Sequence, residues 1–119
     1  MKHLIITLCA FATLALPVQA QSIGGRYQVE GTNLNGTTYS GEAQITLTSE
    51  TTCEIEWITG STTSVGICMR NDDSFSAAYR MEDIVGLVIY KVMADGSLNG
   101  VWTIANNGGA GTETLTPMQ

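Results

Sequence analysis

Basic side chains are scarce in this chain of 119 residues: five Lys and Arg stand against eleven Asp and Glu, for a formal charge of −6. Holding a phosphate backbone takes many Lys and Arg contacts, so this balance argues against nucleic acid and anionic lipid as partners. Histidine is scarcer still, with His3 the single example. That removes Ser-His-Asp and Cys-His catalysis and any multi-histidine metal site. No phosphate loop is present, because Gly108-Gly109-Ala110-Gly111 has no lysine after it. Long apolar runs are also missing beyond the first twenty residues. The run Leu4–Leu16 is itself shorter than the roughly 20 residues that span a bilayer.

What is present begins with an address. Met1-Lys2-His3 is a short basic start, Leu4–Leu16 is apolar, and Pro17-Val18-Gln19-Ala20 places small residues at the −3 and −1 positions. This pattern reads as a secretory signal peptide over 1–20, cleaved after Ala20, followed by a single domain over 21–119. A lipoprotein leader would carry a cysteine at the cleavage point, whereas Cys9 lies inside the apolar run, so no lipid anchor is expected. The expected location is periplasmic or secreted. His3 departs with the leader. Arg26, Arg70, Arg80 and Lys91 then remain as the only basic residues against all eleven acids.

Two cysteines follow the leader, Cys53 and Cys68. In an oxidising compartment a disulfide is the default. Cys53-Glu54-Ile55-Glu56-Trp57 and Val65-Gly66-Ile67-Cys68-Met69 read as two strands about a turn at Gly60-Ser61-Thr62-Thr63, which sets the two thiols opposite one another. A redox pair would favour C-x-x-C spacing, and two thiols without histidine make a poor zinc set.

Almost nothing here reads as helix. Short alternating runs rich in Thr, Val, Ile and aromatics are broken by Gly, Asn, Asp and Ser, the pattern of an all-β chain. Eight runs are expected, near 25–31, 38–48, 52–58, 64–70, 74–81, 84–93, 97–104 and 111–116. Eight consecutive short strands joined by tight turns predict a small antiparallel up-and-down barrel, whose closure removes exposed edges; a β-sandwich is the alternative. Glycines within strands at 41, 66, 86 and 100 fit the bends that a small barrel needs. The expected inward set is Tyr27, Val29, Tyr39, Ala43, Ile45, Leu47, Ile55, Trp57, Phe75, Tyr79, Val88, Tyr90, Leu98, Trp102 and Ile104, enough side chains to fill the interior. An internal echo links Tyr27-Gln28-Val29, Asn35-Gly36, Tyr39 and Gly41 to Tyr90-Lys91-Val92, Asp95-Gly96, Gly100 and Trp102.

Several of these segments resemble a group of small exported bacterial proteins. They are Gly25-Arg26-Tyr27-Gln28-Val29, Asn35-Gly36-Thr37-Thr38-Tyr39-Ser40-Gly41, the mid-chain Trp57, Asp95-Gly96-Ser97-Leu98-Asn99-Gly100-Val101-Trp102, and Gly109-Ala110-Gly111-Thr112-Glu113-Thr114-Leu115. The resemblance implies an avidin- or lipocalin-like small barrel; some such proteins carry a fibronectin-binding label. The cysteine pair is not part of that pattern. The shared segments are turns and bends, which specify fold more than function.

The functional expectation is an exported binding protein, not an enzyme, with no cofactor and no metal. Glu54 and Glu56 share one strand face opposite Trp57, a solvent face, and Asp72-Asp73 sit in a turn. Two binding modes follow, the first the main expectation (inhibitor, adhesion or envelope interaction) and the second its alternative. In the first, the barrel surface meets a protein partner or a second copy, through Val65, Ile67 and Met69 or Val85, Leu87 and Ile89, because these runs are apolar on both faces and a barrel has one inside. In the second, the interior carries a small apolar or aromatic ligand against Tyr27, Tyr39, Trp57, Tyr90 and Trp102, each with an apolar face and a polar tip.

Overall fold

The computed structural model describes residues 22–119; the leader and its cleavage point after Ala20 lie outside the described residues. Eight strands follow one another: β1 (Gly25–Thr32), β2 (Thr38–Leu47), β3 (Thr52–Thr59), β4 (Thr62–Asn71), β5 (Ser74–Met81), β6 (Ile84–Val92), β7 (Leu98–Ile104) and β8 (Gly111–Pro117). Each pairs antiparallel with its neighbour, and β1 pairs with β8 from Tyr27↔Pro117 to Thr32↔Thr112, so the sheet is a closed barrel without an edge. The sandwich alternative is thereby set aside.

Alternation decides which residues enter the core. Val29, Ile45, Phe75, Val88, Tyr90, Leu98 and Leu115 are fully enclosed, while their chain neighbours face out. Leu47 keeps the inward phase but lies at the last position of β2, where the barrel ends, and remains 39% exposed. At the same end Cys53 and Cys68 are directly paired across β3 and β4 with Cα atoms 4.9 Å apart, and they form a buried disulfide. Such a bridge belongs to a non-reducing environment. Ile23 folds over this end and is buried, its carbonyl accepting a hydrogen bond from Tyr27 Oη at 2.6 Å.

The β3–β4 turn is tighter than the expected four residues. Thr62 and Thr63 pair with Thr59 and Ile58, leaving only Gly60 and Ser61 in the loop. Glycine at the first central position, with φ +62°, suits the two-residue loop that matches strand twist, so the ladder runs further than composition implies. The internal echo is a turn repeat. In each copy the first loop residue exchanges backbone bonds with the residues three and four further on, and an Asn or Asp oxygen accepts from the backbone two positions ahead. Gly36 and Gly96 share a φ of +86°. The strands do not follow suit: Tyr27 pairs with Ala43, whereas Tyr90 pairs with Gly100.

Candidate functional site

The loops after β1, β3, β5 and β7 all surround one end of the barrel, opposite the disulfide. There the interior is open. A cavity of about 690 Å³ descends between Asn33–Asn35 and Gly60–Thr62 at the rim to Tyr39, Trp57, Tyr79, Trp102 and Glu113 below. The inward side chains therefore fill one half of the barrel and leave the other hollow. The packed half rests on Phe75 stacked on Tyr90, with centroids 5.5 Å apart.

Glu113 forms the floor. It lies in the first half of β8, between Gly111 and Leu115 on the inward face, and is only 7% exposed. Three side chains from three other strands donate to its carboxylate. Tyr39 Oη reaches Oε1 at 2.8 Å, Trp57 Nε1 reaches Oε2 at 3.1 Å, and the Tyr90 hydroxyl also donates to Oε2. Burial pushes the Glu113 pKa above the usual carboxylate value, and the three donors pull back without cancelling the shift. The phenols respond in kind. Burial and then the Glu113 charge push Tyr79 up to about 12, and the same two causes raise Tyr39 and Tyr90.

The rings are positioned by what stands opposite them. Tyr39, Tyr79, Tyr90 and Trp102 pair directly with Gly31, Gly86, Gly100 and Gly111. A Cβ at Gly86 would lie 2.1 Å from Tyr79 Cζ, and one at Gly111 would lie 2.5 Å from the Trp102 ring. Each ring thus lies across the neighbouring strand in space that only a missing side chain provides. Two edge-on pairs result, Trp57 with Tyr79 at 5.2 Å and Tyr39 with Trp102 at 6.3 Å. Trp102 Nε1 donates to the Thr112 carbonyl at 3.3 Å, which fixes that ring at the β1–β8 seam.

Of the five ring residues named from sequence, Tyr39, Trp57 and Trp102 line the cavity. Tyr90 lies beneath the floor, buried, where it holds Glu113. Tyr27 is at the opposite end, beside a smaller depression of about 370 Å³ that Ile23, Val92 and Met118 also line. Strand tilt separates it from the site: the directly paired row Tyr27–Ala43–Trp57–Ser64 climbs from the packed end to the cavity. Tyr79 and Glu113 complete the site although sequence reasoning gave them no binding role. The signal for Glu113 was its phase, two residues from Leu115 on the inward side of the last run.

The outer wall is divided. Glu54 and Glu56 face solvent, as their strand phase predicts, on the more polar half made by β8, β1, β2 and β3, where Ile58 is an exposed apolar exception. Across β4 to β7 the outward positions include Val65, Ile67, Met69, Val85, Leu87, Ile89 and Val101, all about half exposed or more. Register makes them contiguous through Ile67↔Ala78↔Leu87 and Ile89↔Val101. Among the described residues, no group of three His, Cys, Asp or Glu side chains is arranged to hold a metal ion.

No family model matches the chain, and no curated protein does. Solved structures do. A redesigned β-barrel is similar with a TM-score of 0.71 and 17% identity, covering 82% of this chain and 92% of its own. A de novo designed fluorescence-activating β-barrel gives 0.67 and 14%, covering 83% and 96%. A redesigned barrel solved bound to DFHBI gives 0.69 and 22%, covering 81% and 95%. At these identities the likeness establishes the fold: a small eight-stranded antiparallel β-barrel.

Proposed function

We propose that the protein is a non-enzymatic carrier or sensor that holds one small aromatic or apolar molecule in the open half of its barrel. The carrying observation is the cavity itself. Its volume lies in the range of small-molecule sites, its walls are four aromatic rings, and one convergent polar group stands at its floor. Likeness in fold lends support, since a redesigned barrel that matches over 95% of its own chain has been solved bound to DFHBI. The chemistry of the site supports binding over catalysis. Glu113 is the single carboxylate among the residues lining the cavity and is held by neutral donors. The leader sequence and the disulfide support a periplasmic or secreted location.

Native mass spectrometry of gently purified protein tests this reading. Extra mass at one copy per chain, lost on denaturation, is the expected result. Bare protein, together with unchanged tryptophan emission across a panel of aromatic compounds, would refute it.

The apolar half of the outer wall favours a second reading, in which that wall meets a second copy of the chain. Glu30, Glu42, Glu54 and Glu56 all lie on β1 to β3, so the seven apolar residues on β4 to β7 are free of interspersed acids. The polar half also distinguishes this wall from the apolar band that encircles a membrane-spanning barrel. Sedimentation across a concentration series decides between monomer and dimer.

A further inference from the structure

At the cavity floor the Glu113 carboxylate accepts from three uncharged donors, and among the described residues no basic side chain joins them. None of the four basic residues after the leader lines the cavity. Arg26 pairs with Glu42 on the outer wall at 2.5 Å. Arg80 and Lys91 occupy outward positions, paired with Val65 and Val85 and with Ser74 and Asn99. Arg70 lies near the opposite end, its Nε donating to the Asp72 carbonyl at 2.6 Å. A carboxylate offers about four acceptor sites. Two donors occupy Oε2 and one occupies Oε1, so Oε1 keeps the greater remaining capacity to accept, and Glu113 is among the residues that line the cavity.

Resting on the carrier reading above, we infer that the ligand is an organic cation: a protonated amine on an aromatic or apolar body, its ammonium seated against Glu113 Oε1. Three features converge on this class. An ammonium can donate a second hydrogen bond to Oε1, beside that from Tyr39, and supplies the countercharge that Tyr39, Tyr90 and Trp57, all neutral, do not. The faces of Trp57, Trp102, Tyr39 and Tyr79 attract a cation as well as an apolar body. The approach favours the same sign, because the β5–β6 turn beside the mouth carries Glu82 and Asp83, and the chain as a whole is strongly acidic. An anionic ligand would meet like charge at the floor and at the rim.

The test is a matched set of probes on one ring system: naphthylmethylamine, naphthylmethanol and naphthoate, each measured by equilibrium dialysis against the purified protein at physiological salt. The amine is expected to bind about tenfold or more tighter than the alcohol, the scale of one charge-assisted hydrogen bond, with the carboxylate weakest. Glu113→Gln is expected to bring the amine to the level of the alcohol while the alcohol is retained. Should the alcohol or the carboxylate match the amine in the unmodified protein, the cation assignment is wrong while the carrier reading stands. Should none of the three bind, the carrier reading fails and takes the assignment with it. The ranking in unmodified protein is decisive even if the Gln variant does not fold.

Discussion

The ring of Tyr79 lies across β6 directly over Gly86, leaving no room there for even a methyl group. The pair joins two separate sequence signals, an aromatic in one strand and a glycine in the next, into one packing unit at the cavity wall. Gly86→Ala is expected to cost about 1–3 kcal/mol, the usual penalty for overpacking. Tyr79→Ala in the same chain should relieve part of it. A double-mutant cycle by urea denaturation checks the pair; strictly additive losses would contradict the packing described.

Glu113 makes stability depend on pH in an unusual direction. Its folded pKa is raised above the unfolded value of 4.5, so the folded chain binds more protons in the interval between the two. Stability therefore falls as pH rises from the ordinary carboxylate range through the raised value, then levels off. Glu113→Gln should flatten that slope, since a neutral amide can accept from Trp57 and Tyr90 through its oxygen and donate to Tyr39. Thermal melts across acidic and neutral pH, for both proteins, provide the comparison.

Tyr90→Phe removes one of the two donors to Oε2 while keeping the stack on Phe75. The expected loss is about 1–3 kcal/mol at neutral pH, because a buried charged acceptor is left short of a partner. The loss should shrink once Glu113 is protonated. An equal loss at both pH values would show that the hydroxyl contributes nothing to the charge.

Cys53 and Cys68 close a short loop at the packed end, far from the cavity. Replacing both with alanine should lower unfolding free energy by about 3 kcal/mol. Ligand affinity should be unchanged provided the variant is folded at the assay temperature. Loss of affinity in a folded variant would show that the bridge shapes the distant site.

On the outer wall, Leu87→Lys places a charge at the centre of the apolar half. Stability is expected to move by no more than about 0.5 kcal/mol, as is usual for an exposed position. If the wall joins two copies, sedimentation will show the dimer weakened by this substitution and untouched by Thr114→Lys on the polar half.

The strands and their faces were legible because a period of two survives wherever one side is buried and the other wet. Val85, Leu87 and Ile89 already announced an apolar outer face, since Val88 and Tyr90 claim the inside of the same strand. The cavity was not legible. Tyr27 and Tyr39 share an inward phase, yet one lies at the packed end and the other at the mouth, because strand tilt determines depth and no count along the chain contains it. Glu113 was hidden for a related reason: within Thr112-Glu113-Thr114 it looks like one more polar residue, and only the closure of β8 on β1 carries it beneath Tyr39 and Trp57.

β1 enters and β8 leaves the barrel at the packed end, with Met118 bonded back to Arg26 there, while the cavity opens at the other pole. The molecule is thus a cup on a stem. Any chain attached at either side, whether a tether to a solid support or a fused fluorescent protein, hangs from the base and leaves the opening clear. That geometry suits the barrel to immobilised or fused sensing formats without redesign of its loops.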